Sequence, residues 1–304
     1  MRTDRASLSA EPFLDHRWRE PHQVDARLPL TQLEAPETRP PRLGFIWHTS
    51  FCASTLISAC LDAPGRCLAL KEPRALVQLA DMKRRGLLHA DPAAASAVFG
   101  LLARRFDEDE RILVKPSNGA NSLIPDAAAV TTGPMLMLYS SCESFLLSMA
   151  KQGGAGFTFV RNLFGSLASE HPVGAWPVPT LLSLTDLQLA ALVWRMQMDI
   201  LEAASAGLGC RARSLDCRLF LEDPGYVLTK LDAFLGLNLG PERLDAVVNG
   251  PLFNRDVKHP GRTYDSRSRA AAESRVRAQL GSDLPAVLRW IEAVFPAPPR
   301  LATP

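Results

Sequence analysis

Apolar residues fall along this chain in short blocks separated by longer stretches of helical period. Gly44–Trp47, Cys67–Lys71, Ile112–Pro116 and Met135–Tyr139 are compact and mostly apolar, and a fifth block covers Ala212–Phe220. Runs of this length, rich in branched and large side chains and bounded by Pro, Gly or hydroxyl residues, predict strands buried on both faces. The intervening segments predict helices. Ser54–Leu61 is closed by Ala63-Pro64-Gly65, and a helix after Glu72-Pro73 turns Leu76, Leu79, Ala80 and Met82 inward. Asp91-Pro92 caps another, running through Val98, Leu101 and Leu102 to Phe106. Ser140-Ser141-Cys142-Glu143 reads as a capping box ahead of Phe145–Ala150.

Residues 184–205 predict one long helix, with Gln188, Arg195, Asp199 and Glu202 as a polar stripe and Leu189, Leu192, Val193, Met196 and Ile200 inside. Trp194 reads as core. Asp223-Pro224 opens a helix that Gly236 stops, and 267–280 and 284–295 finish the chain. Strands alternating with helices predict an α/β fold with a mainly parallel, doubly wound sheet, so the residues just after each strand are the ones to inspect. Residues 1–42 lack periodicity and read as an arm, poorly structured or peripheral, before a single domain at 43–304 that ends in a helical extension.

The 304 residues are 47% hydrophobic with a net charge of +2, enough for a full core and too little charge for a nucleic-acid binder. The six cysteines form no Cys-x-x-Cys pair and read as reduced thiols rather than metal ligands or disulfides. Met1–Leu14 has no apolar run of signal-peptide length and no stretch suits a bilayer, so a soluble, cytoplasmic protein is expected. The oligomeric state is not encoded in any pattern found here.

Gly44–Ser58 is the segment richest in candidate chemistry. A buried strand runs into His48-Thr49-Ser50-Phe51-Cys52-Ala53-Ser54-Thr55 and then a helix, an arrangement whose free amides and dipole suit a phosphate. A plain strand-to-helix turn explains the same residues. In order and spacing, residues 43–265 resemble a P-loop sulfotransferase of the bacterial type. Phe51-Cys52-Ala53-Ser54-Thr55-Leu56, with Ser50 ahead of it, resembles the loop that holds the 5′-phosphosulfate. The family's lysine falls at Phe51 and its glycine at Ala53. Leu138–Ser148 resembles the 3′-phosphate motif, with Ser148 matching its serine and Ser140 standing where an arginine is usual. Lys258–Arg262 resembles the basic segment that closes over that phosphate. Leu219–Pro224 through Phe234–Leu237 resembles the late strand, Asp-Pro helix and Phe-Leu-Gly turn.

The resemblance implies a three-layer P-loop sulfotransferase-like fold and 3′-phosphoadenosine 5′-phosphosulfate as co-substrate, with no metal. It also implies sulfuryl transfer to a hydroxyl or amine of a small-molecule or peptide acceptor. By the same resemblance Glu72 is the base and Lys115 a stabiliser of the transferred group, while Ser117 stands at the position of a catalytic histidine. Two readings stand for Glu72, a base or a partner of its own helix N-terminus. Lys115 is either the missing positive charge or a solvated strand end, and His48 a base, a donor or a structural histidine. Ser117, Asn118 and Asn121 orient an acceptor or simply make a turn. Arg74 and Arg161 are unassigned cations. A phosphotransferase on the same fold and a non-catalytic nucleotide- or partner-binding member are the alternatives.

Overall fold

The computed structural model describes residues 4–15, 42–90, 93–254 and 266–301. The Asp91-Pro92 cap and the Lys258–Arg262 segment, Arg262 included, lie outside the described residues. Strands β1 (Leu43–His48), β2 (Cys67–Lys71), β3 (Arg111–Lys115), β4 (Met135–Tyr139) and β5 (Ala212–Asp216) form one sheet in the order β2-β3-β1-β4-β5. Every pairing is parallel, with Leu43 opposite Ile112, Lys71 opposite Lys115, and His48 opposite Leu138.

Helix α1 (Arg5–Ala10) precedes the sheet, and α2 (Ser54–Leu61) joins β1 to β2. The next crossover holds α3 (Arg74–Arg84), α4 (Leu87–Ala90) and α5 (Ala93–Leu102), and α6 (Ile124–Val130) leads to β4. Between β4 and β5 lie α7 (Cys142–Ala150), α8 (Gly154–Leu167), α9 (Val178–Leu182) and α10 (Asp186–Ala206). The chain finishes with α11 (Cys217–Glu222), α12 (Pro224–Leu235), α13 (Pro241–Val248), α14 (Ser266–Leu280) and α15 (Asp283–Val294).

The period of two along each strand divides the core. Phe45, Trp47, Leu70, Val114 and Met137 face α3, α5, α6 and the end of α10, while Ile46, Leu113, Leu136, Leu138 and Leu215 face α2, α12 and α13. The result is a three-layer α/β fold with a five-stranded parallel sheet. Phe45 and Trp47 are fully buried and stacked at 5.2 Å, each contributing about 1.5–3 kcal/mol through apolar burial. A third cluster joins α7, α8, α10 and α15 beside the sheet. Gly133 admits no side chain, because a Cβ there would lie 1.7 Å from the Leu43 carbonyl oxygen.

Four local expectations change. The helix read as reaching Phe106 stops at Leu102, because Arg105 donates to the Glu108 carbonyl in a turn, and Leu101 and Phe106 are exposed. The fifth strand ends at Asp216, whose carboxylate accepts from the Arg218 amide and starts α11 where a strand to Phe220 was expected. Ser141 rather than Ser140 caps α7, accepting from the Ser144 amide, and Glu143 pairs with Arg277 instead of closing a box. The long helix is capped by a Thr185/Gln188 box and also buries Gln197 completely, a residue absent from the expected inner face.

Candidate functional site

The chain steps from β1 out to β2, returns to β3, then crosses β1 to reach β4. Such a reversal leaves a crevice beyond the carboxyl ends of the central strands. The topology brings His48–Thr55, Lys71-Glu72, Lys115–Asn121 and Ser140 to that one edge.

The loop after β1 has an unusual backbone. Phe51 and Ala53 both lie in the left-handed region, at φ 58° and 59°. For residues with a Cβ this costs about 1–2 kcal/mol each. Phe51 recovers part of it by packing its ring edge-on against Phe145 and Phe159, at 5.4 and 5.6 Å. Cys52 is fully buried against the α2 layer. Ala53 is the N-cap of α2 and supplies no side-chain acceptor, so the first amides of that helix have no cap. Ser54 and Thr55 are buried in the first turn, and Ser58 donates to the Ser54 carbonyl.

Around this loop several polar atoms are buried without a hydrogen-bond partner among the described residues: Thr49 Oγ1, Ser50 Oγ, Ser140 Oγ and Asn121 Oδ1. Thr49 and Ser140 are fully buried and Ser50 nearly so. Hydroxyls of this kind gather at the carboxyl ends of β1 and β4, where their hydrogen-bonding capacity is open to water or a polar ligand. The Ser140 carbonyl accepts from Trp194 Nε1 at 2.8 Å, which ties α10 to the end of β4. Ser148 is half-buried in the second half of α7.

His48 closes β1 and is buried. Its Nε2 lies 3.0 Å from the Pro116 carbonyl, and since a carbonyl only accepts, Nε2 carries the proton. The Asn121 amide donates to the His48 carbonyl at 3.0 Å, and Asn118 donates to Gln197 Oε1 at 2.8 Å. Both asparagines therefore fasten the turn after β3 to β1 and α10. Ser117 is half-buried at that turn. Arg74 is exposed, and Arg161 pairs with Asp186 at 2.5 Å on the surface.

Glu72 and Lys115 meet. Lys115 Nζ donates to Glu72 Oε1 at 2.5 Å, with the lysine side chain only 1% exposed and the glutamate 15%. Glu72 is itself left-handed, at φ 55°, and its amide donates to the Lys115 carbonyl at 2.6 Å. Lys71, opposite Lys115 in register, is buried, and burial pushes its ammonium below the usual lysine range. Phe13 lies over Lys115, its ring centroid 5.7 Å from Nζ. No sequence signal brought Phe13 or Lys71 to this edge, and Trp194, read as core, is half-buried and tied to Ser140, because each makes its contact with a residue distant in the chain. Among the described residues no group of three His, Cys, Asp or Glu side chains is placed to hold a metal, and no helix is long and apolar enough to cross a membrane.

No family model matches the chain, and no curated protein matches it. Among solved structures it is similar to the sulfotransferase domain from the curacin biosynthetic pathway, at 14% identity and a TM-score of 0.49 over 80% of this chain and 98% of that one. It is also similar to the sulfotransferase domain from the Synechococcus PCC 7002 olefin synthase, at 16% identity and a TM-score of 0.47 over 86% of this chain and 98% of that one. The α/β assignment rests on the strand order and register of the chain itself.

Proposed function

We propose that the chain is a sulfotransferase-like enzyme that takes 3′-phosphoadenosine 5′-phosphosulfate at the β1–α2 loop. Its sulfuryl group passes to a hydroxyl or amine of a small-molecule or peptide acceptor. The observation that carries this reading is the group of orphaned buried hydroxyls, Thr49, Ser50 and Ser140, beside the uncapped amides of α2. Donors arranged this way suit an anionic phosphosulfate. Ala53 takes a left-handed backbone where the resembling loop has glycine, the residue that adopts it without strain. Ser50 to Thr55 would hold the 5′ end, with Ser140, Ser148 and Arg262 proposed at the 3′-phosphate.

The Glu72–Lys115 pair suits the proton and charge bookkeeping of the transfer. The acceptor's O–H or N–H proton passes to Glu72 as the new bond to sulfur forms. The bond from sulfur to the phosphate oxygen breaks, leaving its electron pair on that oxygen. Protonation neutralises Glu72 as negative charge grows on the leaving group, so the Lys115 ammonium becomes uncompensated when it is needed. His48, tied to Pro116, holds the ends of β1 and β3 in register beside this pair.

The test is a thermal-shift comparison of adenosine 3′,5′-bisphosphate with ADP and Mg²⁺. Stabilisation by the bisphosphate is expected, and Glu72→Gln should bind it nearly as well while losing turnover. A response to ADP and Mg²⁺ alone would overturn the reading in favour of a phosphotransferase. A second reading, binding without turnover, has one observation behind it: Phe51 sits in an aromatic cluster where a loop lysine is usual. A bisphosphate shift with no sulfated product would favour that reading.

A further inference from the structure

The N-terminal segment runs along β2, from Arg5 at the strand's amino end to Phe13 beside Lys115 at its carboxyl end, and is fastened mainly by polar contacts. Arg5 Nε donates to Glu110 Oε1 at 2.5 Å, and Arg5 Nη2 donates to Asp62 Oδ1 at 2.7 Å and to the Cys67 carbonyl at 2.6 Å. The Ser9 hydroxyl donates to Asp62, and Lys71 Nζ donates to the Ser9 carbonyl at 2.6 Å. Further along, the Leu14 amide donates to the Lys71 carbonyl and the Arg74 amide to the Leu14 carbonyl, at 2.7 and 3.0 Å. Phe13 then covers Lys115. Beneath the segment Glu110, Asp62, Lys71 and Lys115 are all buried.

Apolar anchoring is slight by comparison. Helix α1 has no fully buried residue; Leu14 enters the core and Leu8 packs part-buried against it. A segment held by a large apolar face opens only with the core, since lifting it exposes area that water rejects. Charges are different, because water can take them back as the cover leaves. A seat of this composition lowers the free energy of local opening below that of global unfolding.

We propose that residues 4–15 are a charge-latched gate over the Glu72–Lys115 pair, with Arg5 as the latch and Phe13 as the part that blocks the pair. Lifting the gate uncovers the pair to an acceptor while the sheet stays folded. The use made of the opening rests on the function proposed above; the opening itself does not.

Hydrogen exchange on the full chain tests it, comparing the Leu14 and Arg74 amides with the Thr49 amide, which is bonded to Leu138 in the central sheet. In Arg5→Ala the first two should exchange at least about tenfold faster, as expected for the loss of charge-assisted hydrogen bonds, with Thr49 unchanged. Labelling of Lys115 by an amine-reactive reagent, read by mass spectrometry, should rise in parallel. If Arg5→Ala does not fold, Arg5→Lys, which keeps the charge but loses the forked donors that reach Glu110, Asp62 and the Cys67 carbonyl together, should move the same way and decides the matter. Exchange of Leu14 and Arg74 only together with Thr49 in either variant would make the segment part of the core and end the proposal. A failed bisphosphate experiment beside the expected exchange pattern would remove the reaction and leave the gate.

Discussion

Removing either member of the Glu72–Lys115 pair should cost more than removing both. Lys115 is 1% exposed and Glu72 15%, with 2.5 Å between Nζ and Oε1. Lys115→Met is nearly isosteric but replaces the ammonium 2.5 Å from the Glu72 carboxylate with an apolar group. Glu72→Gln keeps the shape and one acceptor but leaves the ammonium without a counter-charge. Each single change is expected to cost about 2 kcal/mol, below the full penalty of breaking a fully buried pair. The double variant, with two uncharged side chains of similar volume, should cost about 1 kcal/mol. The coupling energy then comes to about 3 kcal/mol, at the upper end of what contacting residues show. Urea denaturation followed by far-ultraviolet circular dichroism measures all three variants, provided m stays constant so that midpoints report stability alone. Additivity within about 0.5 kcal/mol would refute the reasoning, because it would mean that the two groups do not depend on one another.

Ala53→Gly should raise stability by about 0.5–1 kcal/mol, because the left-handed strain at φ 59° outweighs the extra freedom that glycine has when unfolded. A lower melting temperature would contradict this. The alkaline limb of stability should be steep. Burial pushes Cys60 and Cys142 up to about 12 from an ordinary 9.0, and raises Cys67 and Cys217 further. The folded state thus keeps protons that the unfolded chain releases, so this stability is complete below pH 9 and lost as pH rises beyond it. Lys71, lowered by burial, acts in the opposite sense below 10.5. The net expectation is a fall of about 3 kcal/mol between about pH 9 and 10, seen as a falling melting temperature. A flat profile over that interval would refute it.

The strands and most helix ends were legible because they depend on neighbours in the chain. Apolar blocks marked β1 to β4 to within a residue, and Asp223-Pro224 with Gly236 marked both ends of α12, where the carboxylate accepts from the Tyr226 amide and Gly236 is left-handed. Errors came where a polar side chain chose between two local roles. Asp216 capped a helix instead of extending a strand, and Ser141 displaced Ser140 at α7, since one side-chain acceptor a residue away is enough to shift a boundary.

By itself the sequence determined the α/β alternation and the strand ends where chemistry collects, because hydrophobic period and turn residues act over a few positions. It also named Glu72, Lys115 and the His48–Thr55 loop as candidates. Only the tertiary structure decided that Glu72 and Lys115 bond to each other, that Asn118 and Asn121 serve as ties, and that Phe13 lies over Lys115. The physical reason is distance along the chain. Arg5 reaches Asp62 and Glu110, and Lys115 reaches Glu72, through parallel strands whose register follows from packing the whole sheet against its helices.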